Sequence, residues 1–334
     1  MLKNLFFALL SLLIAAAPSR ANEQFQLGLP IACAPGKDCW IVHYVDTDPG
    51  PGAKDFTCGG LTNDGHQGVD FAIQDLVAMQ QGVNVLAAAA GTVKAVRDGV
   101  VDREMTEEDR ARIQGKECGN GVRIDHGNGW TTQYCHLRQH SIRVRPGDSV
   151  KPGQQLGFVG LSGQTQFPHL HLTVRYYDKL VDPFTAVENP STCKNDNKKS
   201  LWKDEIKPLL IYRPVAIYNE GFADQKVNAD EVRAGKYRDV LLLKDSPTMI
   251  FWADIFGVYP QDKITIRIRD PNGNILVQQN KEMDKSFIRY FQFVGKKKDE
   301  SSWPAGLYRG ELTLTRKTDR GIEEFSANKS ITIR

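Results

Sequence analysis

Four of the seven histidines and one aspartate fall in three short segments. They are His66 and Asp70 in GHQGVD, His136 in QYCHL, and His169 with His171 in PHLHL. Imidazole and carboxylate are the side chains that hold a catalytic zinc ion while leaving one position open for water. His169 and His171 are two apart, so on a strand both point to one face while Leu170 and Leu172 point to the other. His66 and Asp70 are four apart, but Gly68 and Val69 disfavour a helix there. A loop entering a strand over Val69-Asp70-Phe71-Ala72 fits better, with Gly65 and Gly68 letting the backbone bend until both donors converge. A carboxylate beside Phe71 and Ile73 would be buried at a cost unless paired or metal-bound. His136 ends a strand carrying Tyr134 and meets His169 only if the two strands are neighbours. Each segment has a bland alternative: two surface histidines on a half-exposed strand, a turn aspartate, a hydrogen-bonded core histidine.

The elements that must position these side chains read as short strands punctuated by glycine turns. Val83 to Ala88, Gly91 to Val96, the alternation around Val122 and Ile124, Leu156 to Val159 and Leu170 to Val174 indicate an antiparallel β domain. Gly127-Asn128-Gly129 between GVRIDH and WTTQYCH is a hairpin turn. Asp102 to Gln114, rich in charge and helix formers, reads as a helical excursion between strands. Ile264 to Arg269 alternates strictly, Asp270-Pro271-Asn272-Gly273-Asn274 is a turn, and Ile275 resumes a strand. With Ile288 to Phe293, Tyr308 to Thr315 and the final residues, this half predicts an immunoglobulin-like β-sandwich. No chemistry-bearing cluster is visible in it. Trp252 and Trp303 there are expected in the core.

All six cysteines and all seven histidines lie between Cys33 and Cys193. The break places a linker over 194–204, between a domain over 59–193 and the sandwich over 205–334. An irregular, disulfide-held lead-in is expected over 22–58, with His43 as strand core or groove wall. Residues 1–21 read as a signal peptide: Lys3, an apolar run from Leu5 to Ala17, then Ser19-Arg20-Ala21. Export in turn makes the even cysteine count a disulfide framework. Hairpin closure brings Cys118 opposite Cys135; Cys33 with Cys39 and Cys58 with Cys193 complete a weaker set. A zinc–cysteine site is disfavoured, since no C-x-x-C pair exists. The net charge of +3 is no nucleic-acid footprint, and Lys296-Lys297-Lys298 reads as a solvated loop tip. No later stretch is long and apolar enough to span a membrane. His126 and His140 are assigned to structure.

Taken together, the segments resemble the lysostaphin/LytM-like zinc metalloendopeptidases. The resemblance runs in order through GHQGVDFA, Gly82 to Val85, Ala90-Gly91-Thr92-Val93, Gly119-Asn120-Gly121-Val122, His126-Gly127 and Tyr134-Cys135-His136-Leu137. It continues through Val144, Gly147, Val150, Gly153-Gln154, Leu156-Gly157, Gly160, Ser162-Gly163, His169-Leu170-His171 and Asp182-Pro183, roughly two fifths of the chain. It implies a mainly β fold, an antiparallel β metallopeptidase domain with an open groove, one zinc ion per chain, and peptidoglycan stem peptides or cross-bridges as substrate. It further implies His66, Asp70 and His171 as zinc ligands, with His136 and His169 sharing the proton-transfer and oxyanion roles in an order left open. H-E-x-x-H is absent, so histidine takes the place of a glutamate base. Departures are Leu172 and Thr173, where relatives often carry an aromatic and a glutamate, and Phe167-Pro168 before the histidine pair. The alternatives are a non-catalytic wall-binding or hydrolase-activating relative and a secreted protease acting on Gly-rich proteins. Exported, periplasmic or secreted residence follows from the leader.

Overall fold

Alternating apolar side chains build the first sheet. In the computed structural model, residues 25–106, 108, 113–193, 199–299, 301–318 and 321–334 are described. The predicted leader lies outside them. The elements of the first half are β1 Cys39–His43, β2 Val69–Ile73, α1 Leu76–Gln81, β3 Asn84–Leu86, β4 Gly91–Arg97, β5 Asn120–Gly127 and β6 Trp130–Leu137, then β7 Ser149–Val150, β8 Gln155–Phe158, β9 His169–Tyr176, β10 Lys179–Asp182 and β11 Val187–Glu188. Among the described residues the main sheet runs β1-β2-β9-β6-β5-β4-β7, with β10 on β9 and β11 on β10; β3 and β8 form a separate ribbon. All these pairings are antiparallel.

β9 lies between β2 and β6, and its register sets which residues share a face. Leu170 pairs with Phe71, and Leu172 with Val69 and Tyr134. These side chains enter a core with Val122, Ile124 and Val174. The intervening residues must then face the other way. His171 pairs with Asp70 and Cys135, and His169 with Ala72.

Outside β1, the described lead-in is made of bends, turns and single bridges, yet it is packed on the sheet. Leu27 and Ile31 are wholly buried in this core, and β1 pairs along β2 as an edge strand. These apolar side chains need burial, and the sheet offers it. The described part of 194–204, expected as a linker, is packed as well. Leu201 and Trp202 are buried in the same core, and Trp202 bridges Leu27. Residues 194–198 lie outside the described residues. Of the helical excursion, residues 107 and 109–112 lie outside them too. Its described start is held extended, since Asp102 bridges Ser162 and Met105 N donates to Thr165 O. Helix propensity there yields to these pairings. The short α1 has no counterpart in the strand pattern; Asp75 caps it by accepting from Ala78 N at 2.8 Å.

The second half comprises β12 Ala216–Ala223, α2 Ala229–Arg233, β13 Thr248–Val258, β14 Lys263–Arg269, β15 Ile275–Glu282, β16 Phe287–Lys297, β17 Gly306–Thr318 and β18 Gly321–Ile333. Its sheets, β12-β13-β16 and β15-β14-β17-β18, enclose Phe251, Ile255, Ile264, Ile266, Ile268, Leu312 and Leu314. This is the expected sandwich; Trp303 is buried in its core, and Trp252 in a separate cluster with Val227, Val232 and Tyr237. Lys296 and Lys297 end β16 rather than tipping a loop. The halves meet through a small apolar cluster: Trp40, Val42, Ala72 and Phe167 against Ala216, Tyr218 and Phe256.

Three disulfides form in the expected pairs: Cys33–Cys39, Cys58–Cys193 and Cys118–Cys135. The last closes a loop of sequence separation 17, which corresponds to about 3 kcal/mol of loop-closure entropy. Replacing Cys118 and Cys135 together by serine is expected to lower unfolding stability by about that amount. Urea unfolding monitored by tryptophan fluorescence measures it; an unchanged midpoint would show that the bridge holds nothing in place.

Candidate metal centre

Asp70 sits on β2 opposite His171 and is only 4% exposed. A carboxylate so far from water needs hydrogen-bonding or charged partners, and four imidazoles surround it. His43 Nδ1 lies 2.9 Å from Oδ2, and His66 Nε2 3.1 Å from the same oxygen. His171 Nδ1 lies 2.8 Å from Oδ1, and His169 Nε2 3.5 Å from it. Burial alone would raise the carboxyl's pKa. The charges of His66 and His169, with the hydrogen bonds of His171 and His43, instead hold it well below the usual range.

The outer nitrogens decide what each ring can do. His66 Nδ1 is 2.7 Å from the carbonyl oxygen of Tyr44, so Nδ1 donates there and Nε2 is the nitrogen turned towards Asp70. Burial pulls the His66 pKa down, yet the charge and hydrogen bond of Asp70 and the Tyr44 carbonyl outweigh it, and the net shift is upward. His171 is the mirror case. Its Nε2 lies 3.0 Å from Thr173 Oγ1, which leaves Nδ1 facing Asp70. Thr173 is thus the outer support of this ring, in the place where relatives often carry a glutamate. A carbonyl or hydroxyl on the far nitrogen is how metal-binding imidazoles are oriented. Two such rings and a carboxylate are the donor set of a zinc site with a position to spare.

His136 and His169 are, like His66, anchored through Nδ1. His136 Nδ1 is 2.8 Å from the carbonyl oxygen of Ser162, and His169 Nδ1 is 2.9 Å from that of Phe167. Each therefore keeps an Nε2 lone pair able to take a proton. Their ring centroids are 4.6 Å apart, and His136 is 5.9 Å from the His171 ring. Burial first, then the neighbouring imidazoles His169 and His171, hold His136 well below the ordinary histidine range. Burial likewise lowers His169, to about 4, against the pull of Asp70. Both are neutral near pH 7, the state a proton acceptor needs. His136 reaches this position because its backbone is left-handed, φ 63°, which turns the end of β6 onto the site. Its N–H donates to Cys118 O and its carbonyl accepts from Gly160 N, and the neighbouring disulfide fixes that corner.

All five predicted site residues thus meet on one face. His43 is the residue that sequence reasoning missed as part of the centre. Its donor atom, with those of His66 and Asp70, forms a group within 4.8 Å of one another. A histidine in an apolar strand carries little local signal; only the pairing of β1 with β2 reveals where it points. His126 is structural as expected, bonded to Ala90 O at 2.7 Å and Thr132 Oγ1 at 2.8 Å. The floor of the site is aromatic. The Phe167 ring stacks near His169 at 4.7 Å between centroids, and Phe256 of the sandwich backs it at 5.1 Å. His66 and His171 keep 12% and 15% of their side chains exposed against 5% for Asp70, so solvent reaches the centre over these two rings.

Residues 64–183 match Peptidase family M23. Among curated proteins, the chain is 31% identical over 138 residues to DD-carboxypeptidase/endopeptidase Mpg of Neisseria meningitidis, covering 40% of this chain and 29% of that one. It is 30% identical over 125 residues to peptidoglycan DD-endopeptidase ShyC of Vibrio cholerae, covering 37% and 25%. The chain spans less than a third of the length of these relatives. Among solved structures, the catalytic domain of the M23 protein EnpA from Enterococcus faecalis is 26% identical, covering 41% of this chain and 81% of that one with a TM-score of 0.28.

Gly68 packs so closely on His171 that a Cβ would lie 2.5 Å from Nε2. Gly68→Ala is therefore expected to push the ring off Thr173 and weaken zinc binding about tenfold or more, read by competition with a chromophoric chelator. His169 should titrate near 4 in the chelated protein, against the ordinary 6.5. Between those values the unfolded chain binds the extra proton, so this group's contribution to stability is lost as pH falls from about 6.5 towards 4. NMR of ring-labelled histidine reads the midpoint directly, and a value near 6.5 for His169 would contradict its burial.

Proposed function

From the Peptidase M23 domain at residues 64–183, we propose that this chain is an exported zinc metalloendopeptidase that hydrolyses peptide bonds of bacterial peptidoglycan. The observation that carries the reading is the division of labour among imidazoles around one carboxylate. His66 and His171 have their outer nitrogens anchored, at Tyr44 O and Thr173 Oγ1, and their inner nitrogens turned to Asp70. His136 and His169 have Nδ1 anchored at the carbonyls of Ser162 and Phe167 and Nε2 left over as a basic nitrogen.

In this reading His66, Asp70 and His171 hold one zinc ion. Zinc there supplies a Lewis acid that acidifies water and polarises the scissile carbonyl. The chain's own residues supply the rest. One of His136 and His169 accepts the proton of the attacking water at Nε2; their depressed proton affinity keeps that nitrogen vacant at neutral pH. The other, once it carries a proton at Nε2 as well as Nδ1, donates a hydrogen bond to the oxygen that gains charge as the carbonyl carbon becomes tetrahedral. His169 is held to this task by Phe167 O and by Thr165 Oγ1 at 3.1 Å. The proton then passes to the leaving amine. Mpg and ShyC carry names that specify peptidoglycan peptide cleavage, and the wall peptide is the substrate proposed here. Retention of all three ligands and both auxiliary histidines argues against a non-catalytic role.

Incubation of the protein with purified peptidoglycan, with and without chelator, followed by mass analysis of the products, tests the reading. Muropeptides with a cleaved stem or cross-bridge should form only in the metal-loaded sample. His171→Ala is expected to lose the metal and the activity together. His169→Ala should keep the metal and lose turnover by about a hundredfold or more. Near wild-type turnover by His169→Ala would overturn the role assignment, and equal cleavage with chelator present would overturn the zinc mechanism. Cleavage of Gly-rich proteins with the wall left intact would transfer the substrate to secreted protein.

A further inference from the structure

We propose that His43 is a positioning residue of the metal centre, donating Nδ1–H to Asp70 Oδ2 and so fixing the carboxylate that His66 and His171 share. The inference rests on the zinc site proposed above and assigns a part in it to the strand that precedes the M23 domain.

The strand register makes the case. Cys39, Trp40 and Ile41 of β1 pair with Ile73, Ala72 and Phe71 of β2 in step. Continued alternation would set Val42 opposite Asp70 and send His43 to the core face with Ile41. Instead the register shifts between Ile41 and His43, and His43 stands opposite Asp70. A bulge inserts one residue and re-aims the side chain that follows it. Here it exchanges a valine for an imidazole at the one position that faces the metal carboxylate. The ring is 6% exposed, so it has left water to make this bond.

His43 is a donor to Asp70 and not a fourth ligand, and the anchoring of the rings is the reason. His66 and His171 give their outer N–H to Tyr44 O and Thr173 Oγ1 and turn the other nitrogen inward. His43 spends Nδ1 on Asp70 itself, at 2.9 Å. An ionised carboxylate only accepts hydrogen bonds, so the proton in that contact belongs to His43. A ligating carboxylate free to rotate can offer both oxygens and occupy the coordination position that water needs. One with an oxygen held from outside cannot. The same strand also orients His66 through the carbonyl of the next residue, Tyr44. The last residue of β1 and the one that follows it thus set the direction of two of the three ligands.

The test compares wild type, His43→Phe and His43→Asn, each shown to be folded by thermal melting of the chelated protein. Phenylalanine fills the space without a donor. Asparagine places an amide N–H near the position of Nδ1. Zinc dissociation constants come from competition with a chromophoric chelator, and cobalt substitution reports coordination by its visible absorption. His43→Phe is expected to bind zinc about 10- to 100-fold more weakly, and His43→Asn to restore affinity to near wild type with an unchanged cobalt spectrum. A folded His43→Phe with wild-type affinity overturns the proposal. So does a folded His43→Asn with lost affinity or an altered cobalt spectrum, which would make His43 a ligand; this variant decides the matter even where phenylalanine fails to fold. Wild-type protein that binds no zinc would instead overturn the zinc site itself.

Discussion

The carboxylate of Asp70, almost fully removed from water and contacted by four imidazoles, is the interaction on which the centre depends. Leaving such a charge uncompensated would cost several kcal/mol. The imidazoles reverse the effect of burial and keep it ionised. Each ring is in turn held by a neutral acceptor on its far side or by Asp70 itself, so the carboxylate and its neighbours orient one another.

That arrangement needs a scaffold that does not yield, and the supports come from distant parts of the chain. The Tyr44 carbonyl, just past β1, steers His66, Ser162 steers His136, and Thr165 with Phe167 steers His169. His136 holds a left-handed backbone, a conformation that costs of order 1–3 kcal/mol and persists only where its surroundings over-determine it. The Cys118–Cys135 bridge, the Cys118 carbonyl and the Gly160 amide are those surroundings.

The sandwich takes part in the same support. Phe256 on β13 backs Phe167, which backs His169, and Arg289 on β16 lies 5.6 Å above the Phe167 ring. Beyond the apolar cluster, Arg238 donates to Asp75 and Gln74 at 3.1 Å, and Gln74 donates to Asn219 at 3.0 Å. The contact therefore joins the end of β2, the strand of Asp70, to the second half. A half whose own sequence carries no chemistry-bearing cluster still helps define the surroundings of His169.

Much of the site was legible because its signals are local. Alternation in His169-Leu170-His171-Leu172 sets two imidazoles on one face whatever surrounds the strand, and glycines beside His66 and Asp70 mark a bend that lets donors converge. The hairpin turn at Gly127-Asn128-Gly129 brings Cys118 and Cys135 opposite each other by chain geometry alone, and the strict alternation of Ile264 to Arg269 marks the sandwich. What lay out of reach depends on partners remote in sequence. A bulge in β1 decided that His43 and not Val42 meets Asp70. Burial decided that Leu27, Ile31, Leu201 and Trp202 belong to the core. Which nitrogen of each histidine is protonated followed from acceptors on neighbouring strands and loops. Residue types and their period are properties of the chain itself, whereas register shifts and tautomers are settled only when separate segments pair.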